Sequence, residues 1–368
     1  MQSRKVLALE EPDVEAGTGE ERGRGAPGRT PADHDDIRVF ARVGLANGHP
    51  QHSSSPVVAG PVARGKFDDP DWTADDKPRA RVALDRLRTL WFNTGTLCNL
   101  QCGHCYIESS PRNDRLVYLS RLEVRRYLEE ISVLGLDTDE IGFTGGEPFM
   151  NPDLAAMLAD SLARGYRVLV LTNAMRPMMK CAPELLALRD WYGSRLTLRV
   201  SIDHYRPALH EEERGPRTWV PTLTGLKWLS DNGFAIAAAG RRRWGDEEDS
   251  LRAGFERLFE AEGINIDTSS PTDLVLFPEM DLKVDTTEIT TECWDILGMR
   301  PGDVMCASSR MVIKRKGAES PVVASCTLLP YDPAFSLGER LDDSLGDVAL
   351  NHPHCSRFCV LGGGRCSG

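Results

Sequence analysis

Cys98, Cys102 and Cys105 lie in the run CNLQCGHCY, directly after a short apolar stretch. Thiolates at C-x3-C-x2-C spacing can hold three irons of a [4Fe–4S] cluster, because such clusters are carried by cysteine. No fourth ligand follows nearby. One metal position would therefore stay open, as metal catalysis requires and a purely structural cage avoids. For an isolated triplet, a zinc knuckle or a cytosolic thiol cluster is the alternative. Further on, residues 140–152 read EIGFTGGEPFMNP. Residues 141–143 predict a short buried strand, and Gly145 and Gly146 allow a sharp turn and a close approach of backbone to a ligand. Glu147 then stands at the strand's exit, with a carboxylate free to accept from an ammonium group.

Holding such groups together takes a scaffold, and from about residue 87 the pattern becomes alternating strands and helices. A strand at 89–93 leads into the cysteine loop. The next helix opens on Ser120 and Glu123, a capping box, and buries Val124, Leu128, Ile131 and Leu134. After GGEP, Asn151 as N-cap and Pro152 at the first helical position predict another helix, stopped by Gly165. Residues 166–171 form a continuous apolar run, the mark of a strand buried on both faces. Further strands fall at 196–202, 234–239 and 274–277. Helices lie around 223–229 and along Leu251, Phe255, Leu258 and Phe259. Six β/α units predict an α/β fold, a curled, incomplete (βα)6 barrel with its site at the strands' C-terminal ends. Thr172 and Asn173 exit one strand and Ser201 and Asp203 the next, so all four face that site. A strand-terminal Asx turn is the alternative for Thr172 and Asp203.

Three regions follow. Residues 1–85 are rich in Gly, Pro and charge and cannot bury enough apolar surface to offset ordering, so they read as largely disordered, apart from 37–43. The barrel covers residues 86–282. Residues 283–368 make a smaller metal-binding module, with a β-hairpin at 311–314 and 322–325 and the thiols Cys306, Cys326, Cys355, Cys359 and Cys366. Cys181 and Cys293 stand apart and read as packing residues.

The cysteine triplet after the first strand and GGEP after the second resemble the radical SAM superfamily. That resemblance implies a cluster on Cys98, Cys102 and Cys105 whose open iron binds the amino and carboxylate groups of S-adenosylmethionine. Gly145, Gly146, Glu147 and Pro148 would hold the amino group. A reduced cluster in that family gives one electron to the sulfonium, and the 5′-deoxyadenosyl radical so formed abstracts hydrogen from an unactivated carbon. His104, before the third cysteine, takes the place of an aromatic residue near the adenine, a loop histidine without a specific role being the alternative. Asn173, Ser201 and Asp203 would touch the ribose or methionyl part. The usual adenine-bordering pattern on the fifth strand is absent, leaving Gly240. Arg241 is a candidate partner for the cofactor carboxylate, against a solvated turn for the run Arg241–Arg243.

Ser201, Asp203, His210, Arg214 and Gly215 resemble a loop found in relatives that modify peptides or sulfatases. The C-terminal cysteines resemble the SPASM and twitch modules, with Cys306, Gly317 and Cys326 matching the opening of the pattern. Five cysteines rather than seven imply one auxiliary [4Fe–4S] cluster, with Cys306, Cys326, Cys355 and Cys359 as the favoured set. Zinc is the alternative there, because His352 and His354 lie close by. The expected substrate is a peptide or a small molecule, and an electron donor such as flavodoxin or ferredoxin is implied. A non-catalytic iron–sulfur or zinc carrier is opposed by GGEP, since it needs no site for an ammonium group.

Composition agrees. In 368 residues the formal net charge is −11, which argues against a general nucleic-acid or anionic-membrane binder. No apolar stretch reaches the roughly twenty residues of a membrane span. The N-terminus lacks a secretory h-region, and ten cysteines without one point to metal ligands in a reducing cytoplasm.

Overall fold

Each apolar run between turn residues becomes a strand in the computed structural model, which describes residues 65–279, 281 and 284–364. All of these lie in one unit, Pro61–Gly368. The strands are β1 (Arg81–Val82), β2 (Thr89–Asn93), β3 (Glu140–Thr144), β4 (Arg167–Thr172), β5 (Leu196–Ser201), β6 (Ala235–Arg242) and β7 (Leu274–Pro278). From β2 to β7 every neighbour pairs in parallel and in chain order, the order of an opened (βα)6 barrel. The connecting helices are α1 (Arg121–Val133), α2 (Leu154–Ala163), α3 (Arg176–Lys180), α4 (Ala182–Tyr192), α5 (Pro207–Arg214), α6 (Trp219–Asp231) and α7 (Glu248–Glu262). After these come α8 (Cys293–Leu297), β8 (Ser309–Ile313), β9 (Val322–Ala324), β10 (Ser336–Gly338) and β11 (Val348–Ala349).

Strand periodicity sorts side chains into two cores, since successive residues point to opposite faces. Leu90, Phe92, Ile141, Phe143, Val168 and Val170 pack under the helices, where Phe92 stacks on Phe143 at 5.6 Å. Trp91, Leu169, Met311 and Ile313 face the other way, into a core shared with Cys306, Cys326, Cys355 and Phe358. The inner face of the sheet is thus filled by the C-terminal segment.

The hairpin β8–β9 does not stand apart as a module with its own sheet. β8 runs parallel to β2, with Phe92 opposite Val312, and the sheet grows to nine strands in the order β10-β9-β8-β2-β3-β4-β5-β6-β7. Residues 65–85, expected within the disordered stretch, carry ordered structure instead. Arg79 is buried and bonds to Glu288 at 2.5 Å, and β1 pairs antiparallel with β11. Composition hid this because the segment is held by pairing with a distant part of the chain. Residues 1–64, including 37–43, lie outside the described residues.

Two local expectations also shift. The Ser120–Glu123 capping box forms as expected. The following helix, however, starts at Leu154 rather than at Pro152. Asn151 serves a turn there, accepting from the Asp153 amide at 2.9 Å and donating to the Leu119 carbonyl at 2.9 Å. β6 continues three residues past the expected end, through Arg241 and Arg242. Among the described residues no helix is long and apolar enough to cross a membrane.

Candidate metal centre

β2 delivers the cysteine loop to the C-terminal edge of the sheet, and backbone bonds fix it there. The Cys98 amide donates to the Ser110 carbonyl at 3.1 Å, and Thr96 donates to Leu116 at 3.0 Å. Two sulfurs accept amide hydrogens, Cys98 from Leu100 at 3.4 Å and Cys105 from Ser109 at 3.3 Å. The glycine pair packs on the same backbone. Gly146 donates to the Gly95 carbonyl at 2.8 Å, and a Cβ placed on Gly146 would sit 2.3 Å from the Leu97 carbonyl oxygen. Gly145 has φ +142°, a region side chains disfavour, and its Cβ would lie 2.5 Å from the Gly95 oxygen. Only glycines allow this turn to touch the cysteine loop.

Cys98, Cys102 and Cys105 line one cavity of about 130 Å³, together with Gly145, Gly146, Asn173, Ser201 and Asp203. Arg214 and Arg241 form a charged side, and Tyr106, Phe277, Leu328 and Phe358 an apolar one. Asp203 is buried and both its oxygens are taken, one by the Arg214 Nε and the other by the Arg241 Nε at 3.0 Å. Against the upward push of burial, those two guanidiniums hold the Asp203 carboxyl below the usual range. Arg241 is therefore a partly buried partner in the wall rather than part of a solvated turn. Burial pushes the Cys98 thiol up to about 12 and raises that of Cys102, with Arg214 acting in the opposite direction on both.

Glu147 differs from its expected part. Its carboxylate does not face the cavity free-handed but accepts from the Asn173 amide at 2.8 Å, the Thr172 hydroxyl at 2.9 Å and the Phe149 amide at 3.2 Å. It ties the exit of β3 to the exit of β4, and burial raises its pKa to about 7. In the GGEP turn it is the glycine backbone that borders the cavity. Pro148 is buried and starts a one-turn 3-10 helix behind it. His104 is also displaced from its expected place beside the cofactor. Its Nδ1 lies 2.9 Å from the Glu213 carboxylate, and its half-exposed ring is not in the cavity wall.

Sequence reasoning missed Glu213. Its backbone carbonyl accepts from Gly103 at 2.8 Å and its carboxylate from the His104 amide at 2.9 Å and Arg243 at 2.9 Å. The end of α5 thereby clasps the two residues between Cys102 and Cys105. A signal existed, since Glu213 lies three residues after His210 and both sit on the buried face of α5. His210 packs edge-on against Trp219, neither ring nitrogen has a partner among the described residues, and burial lowers its pKa to about 4.

The C-terminal thiols form a second group. Cys306, Cys326 and Cys355 are buried, and the Cys306 and Cys355 thiols are raised first by desolvation and then by the neighbouring thiols. Cys326 is raised by burial while the backbone N–H groups of Leu328 and Leu329 oppose it. Cys355 and Cys359 share a π-helical turn, Cys355–Val360, a geometry frequent at functional sites. Cys366 lies outside the described residues. Among the described residues, no three His, Cys, Asp or Glu converge as ligands of one ion. A single zinc needs ligands within roughly 2.0–2.3 Å of a common point, whereas a cubane cluster spreads its thiolates over four irons. Both thiol-only sets fit a cluster better than a lone zinc.

The family model for the radical SAM superfamily matches residues 92–241. The antilisterial bacteriocin subtilosin biosynthesis protein AlbA of Bacillus subtilis is 32% identical over 143 residues, 39% of this chain and 30% of that protein. An S-adenosylmethionine-dependent nucleotide dehydratase of Selenomonas ruminantium is 29% identical over 113 residues, 30% of this chain and 37% of that protein. The chain thus spans well under half the length of these curated relatives. Streptococcus suis SuiB bound to S-adenosylmethionine has a similar fold, with a TM-score of 0.51 and 13% identity over 69% of this chain and 63% of that one.

Proposed function

We propose that the chain is a radical S-adenosylmethionine enzyme that modifies a peptide or protein, a reading supported by the match of residues 92–241 to the radical SAM family model. One observation carries the reading. Three thiols, a glycine turn and the exits of β4 and β5 open on the same cavity. Cys98, Cys102 and Cys105 would hold a [4Fe–4S] cluster, which would supply the electron for reductive cleavage of a carbon–sulfur bond of S-adenosylmethionine.

The chain's own groups bind and orient. The Gly145–Gly146 backbone and the Asn173 and Ser201 side chains, which line the cavity, would hold the amino, methionyl and ribose parts. Arg214 and Arg241 hold Asp203 rigid beside them. The apolar wall of Phe277, Leu328 and Phe358 excludes water from the space where hydrogen is taken. Glu147 and Pro148 act from behind, by fixing the turn. Residues 283–368 carry one auxiliary [4Fe–4S] cluster on Cys306, Cys326 and Cys355, with Cys359 or Cys366 completing the set. The enzyme works in the cytoplasm with a flavodoxin- or ferredoxin-like electron donor.

A peptide substrate is supported by the bacteriocin-biosynthesis relative and by the resemblance of the Ser201–Gly215 segment, which runs through α5. A small-molecule substrate is the second reading, favoured by the nucleotide dehydratase relative. To separate them, the reconstituted protein is incubated anaerobically with S-adenosylmethionine and either peptides encoded beside its gene or nucleotides. A mass change in a peptide supports the first reading. Conversion of nucleotides alone overturns it.

A further inference from the structure

Arg310 lies in the middle of β8 and is 0% exposed. Its guanidinium donates to the carbonyls of Ser344 (2.8 Å), Cys306 (2.5 Å), Ser309 (2.8 Å) and Gly346 (3.0 Å). Every one of these acceptors is a neutral peptide oxygen. Among the described residues no carboxylate pairs with Arg310, whereas the equally buried Arg79 has Glu288 at 2.5 Å. A guanidinium does not give up its proton in proteins, so a full positive charge sits inside the core. Buried charges are normally paired, because desolvation without a countercharge is costly.

Its surroundings supply one kind of anion. Met311, the next residue of β8, packs in one core with Cys306, Cys326 and Cys355, so these thiols are the anionic groups within reach of the strand. Arg310 also bonds to the peptide carbonyl of Cys306 itself. Neutral thiols would leave the charge uncompensated. Thiolates holding an iron–sulfur cluster, which is net negative, would compensate it.

We propose that Arg310 is the buried counter-cation of the C-terminal cluster and raises its reduction potential. The inference rests on the auxiliary-cluster reading given above. Reduction adds one electron, taken from the external titrant, and makes no bond. A fixed positive charge in a low-dielectric site favours the more negative, reduced form. Net charge and hydrogen bonding around the sulfurs are what set such potentials.

The test uses the full chain with Cys98, Cys102 and Cys105 changed to Ala, so that the C-terminal cluster is the one observed. Iron and sulfide are quantified first, and their absence overturns the cluster reading and the inference with it, before Arg310 is touched. With the cluster present, potentiometric titration followed by electron paramagnetic resonance compares Arg310→Met and Arg310→Lys. The expected result is a more negative potential in Arg310→Met and a nearly unchanged one in Arg310→Lys. Loss of the cluster in Arg310→Met but retention in Arg310→Lys supports the same role. A full cluster at unchanged potential in Arg310→Met overturns it. Loss of the cluster in both variants, in protein that is folded by circular dichroism, assigns Arg310 to packing and overturns it too.

Discussion

Cys98, Cys102 and Cys105 sit on a loop that opens to a cavity, while Cys306, Cys326 and Cys355 are closed into a core against the inner face of the same sheet. The first set is held from outside by ionic side chains, with Glu213 on the loop and Asp203 between two arginines. The second is held by apolar packing and lies beside Arg310, which bonds to peptide carbonyls and, among the described residues, pairs with no carboxylate. An open, charge-lined site is suited to binding and turning over a cofactor. A closed one is suited to holding a group in place and tuning it. The contrast teaches that two groups of thiols on the inner side of one sheet, at an open edge and in a closed core, are given different kinds of anchor.

Changes to the anchors break the comparison one side at a time. The largest effect is expected from Glu213→Ala, which removes both carboxylate contacts to His104 and the 2.9 Å ion pair with Arg243. Breaking such a pair costs roughly 3 kcal/mol. Iron at the first site should fall several-fold while iron at the second persists, as measured by iron analysis and Mössbauer spectroscopy. Equal loss at both sites would erase the distinction between them.

Next comes His210, whose folded pKa of about 4 lies below the ordinary 6.5. The unfolded chain takes up a proton as the pH falls through about 6.5 and the folded one resists until about 4. Stability is therefore present above 6.5 and lost over that window, by up to about 3 kcal/mol. His210→Phe should flatten this part of the urea-denaturation profile. An unchanged slope would remove His210 from the account. Smaller still is Gly146→Ala, whose Cβ would meet the Leu97 carbonyl at 2.3 Å. Overpacking of this kind costs about 1–3 kcal/mol. It should weaken S-adenosylmethionine binding in calorimetry without altering the C-terminal iron, and unaltered affinity would contradict the close contact.

Local chemistry made much of this legible. The cysteine spacing, the glycine turn, the Ser120–Glu123 cap and the apolar strands can be read because each depends on residues near in sequence. What escaped depends on partners far away. Glu213 looks like part of a solvated run, Glu211–Glu213, until the cysteine loop more than a hundred residues earlier folds onto it. Arg241 and Arg310 look exposed until Asp203 and the 344–346 carbonyls surround them. The pairing of β8 with β2 joins residues 309–313 to 89–93, and no periodicity announces which strands become neighbours. Glu147 is the mixed case: its motif marks the turn, while the direction of its carboxylate depends on Thr172 and Asn173 at the exit of the next strand.

The central claim is that the first cysteine set, and not the second, drives cleavage of S-adenosylmethionine. Wild type and the Cys98, Cys102 and Cys105 to Ala variant are reconstituted anaerobically with iron and sulfide, reduced with dithionite and given S-adenosylmethionine. 5′-Deoxyadenosine is then quantified by mass spectrometry. The account predicts product from the wild type and none from the variant, which still carries C-terminal iron. Continued cleavage by the variant would contradict it.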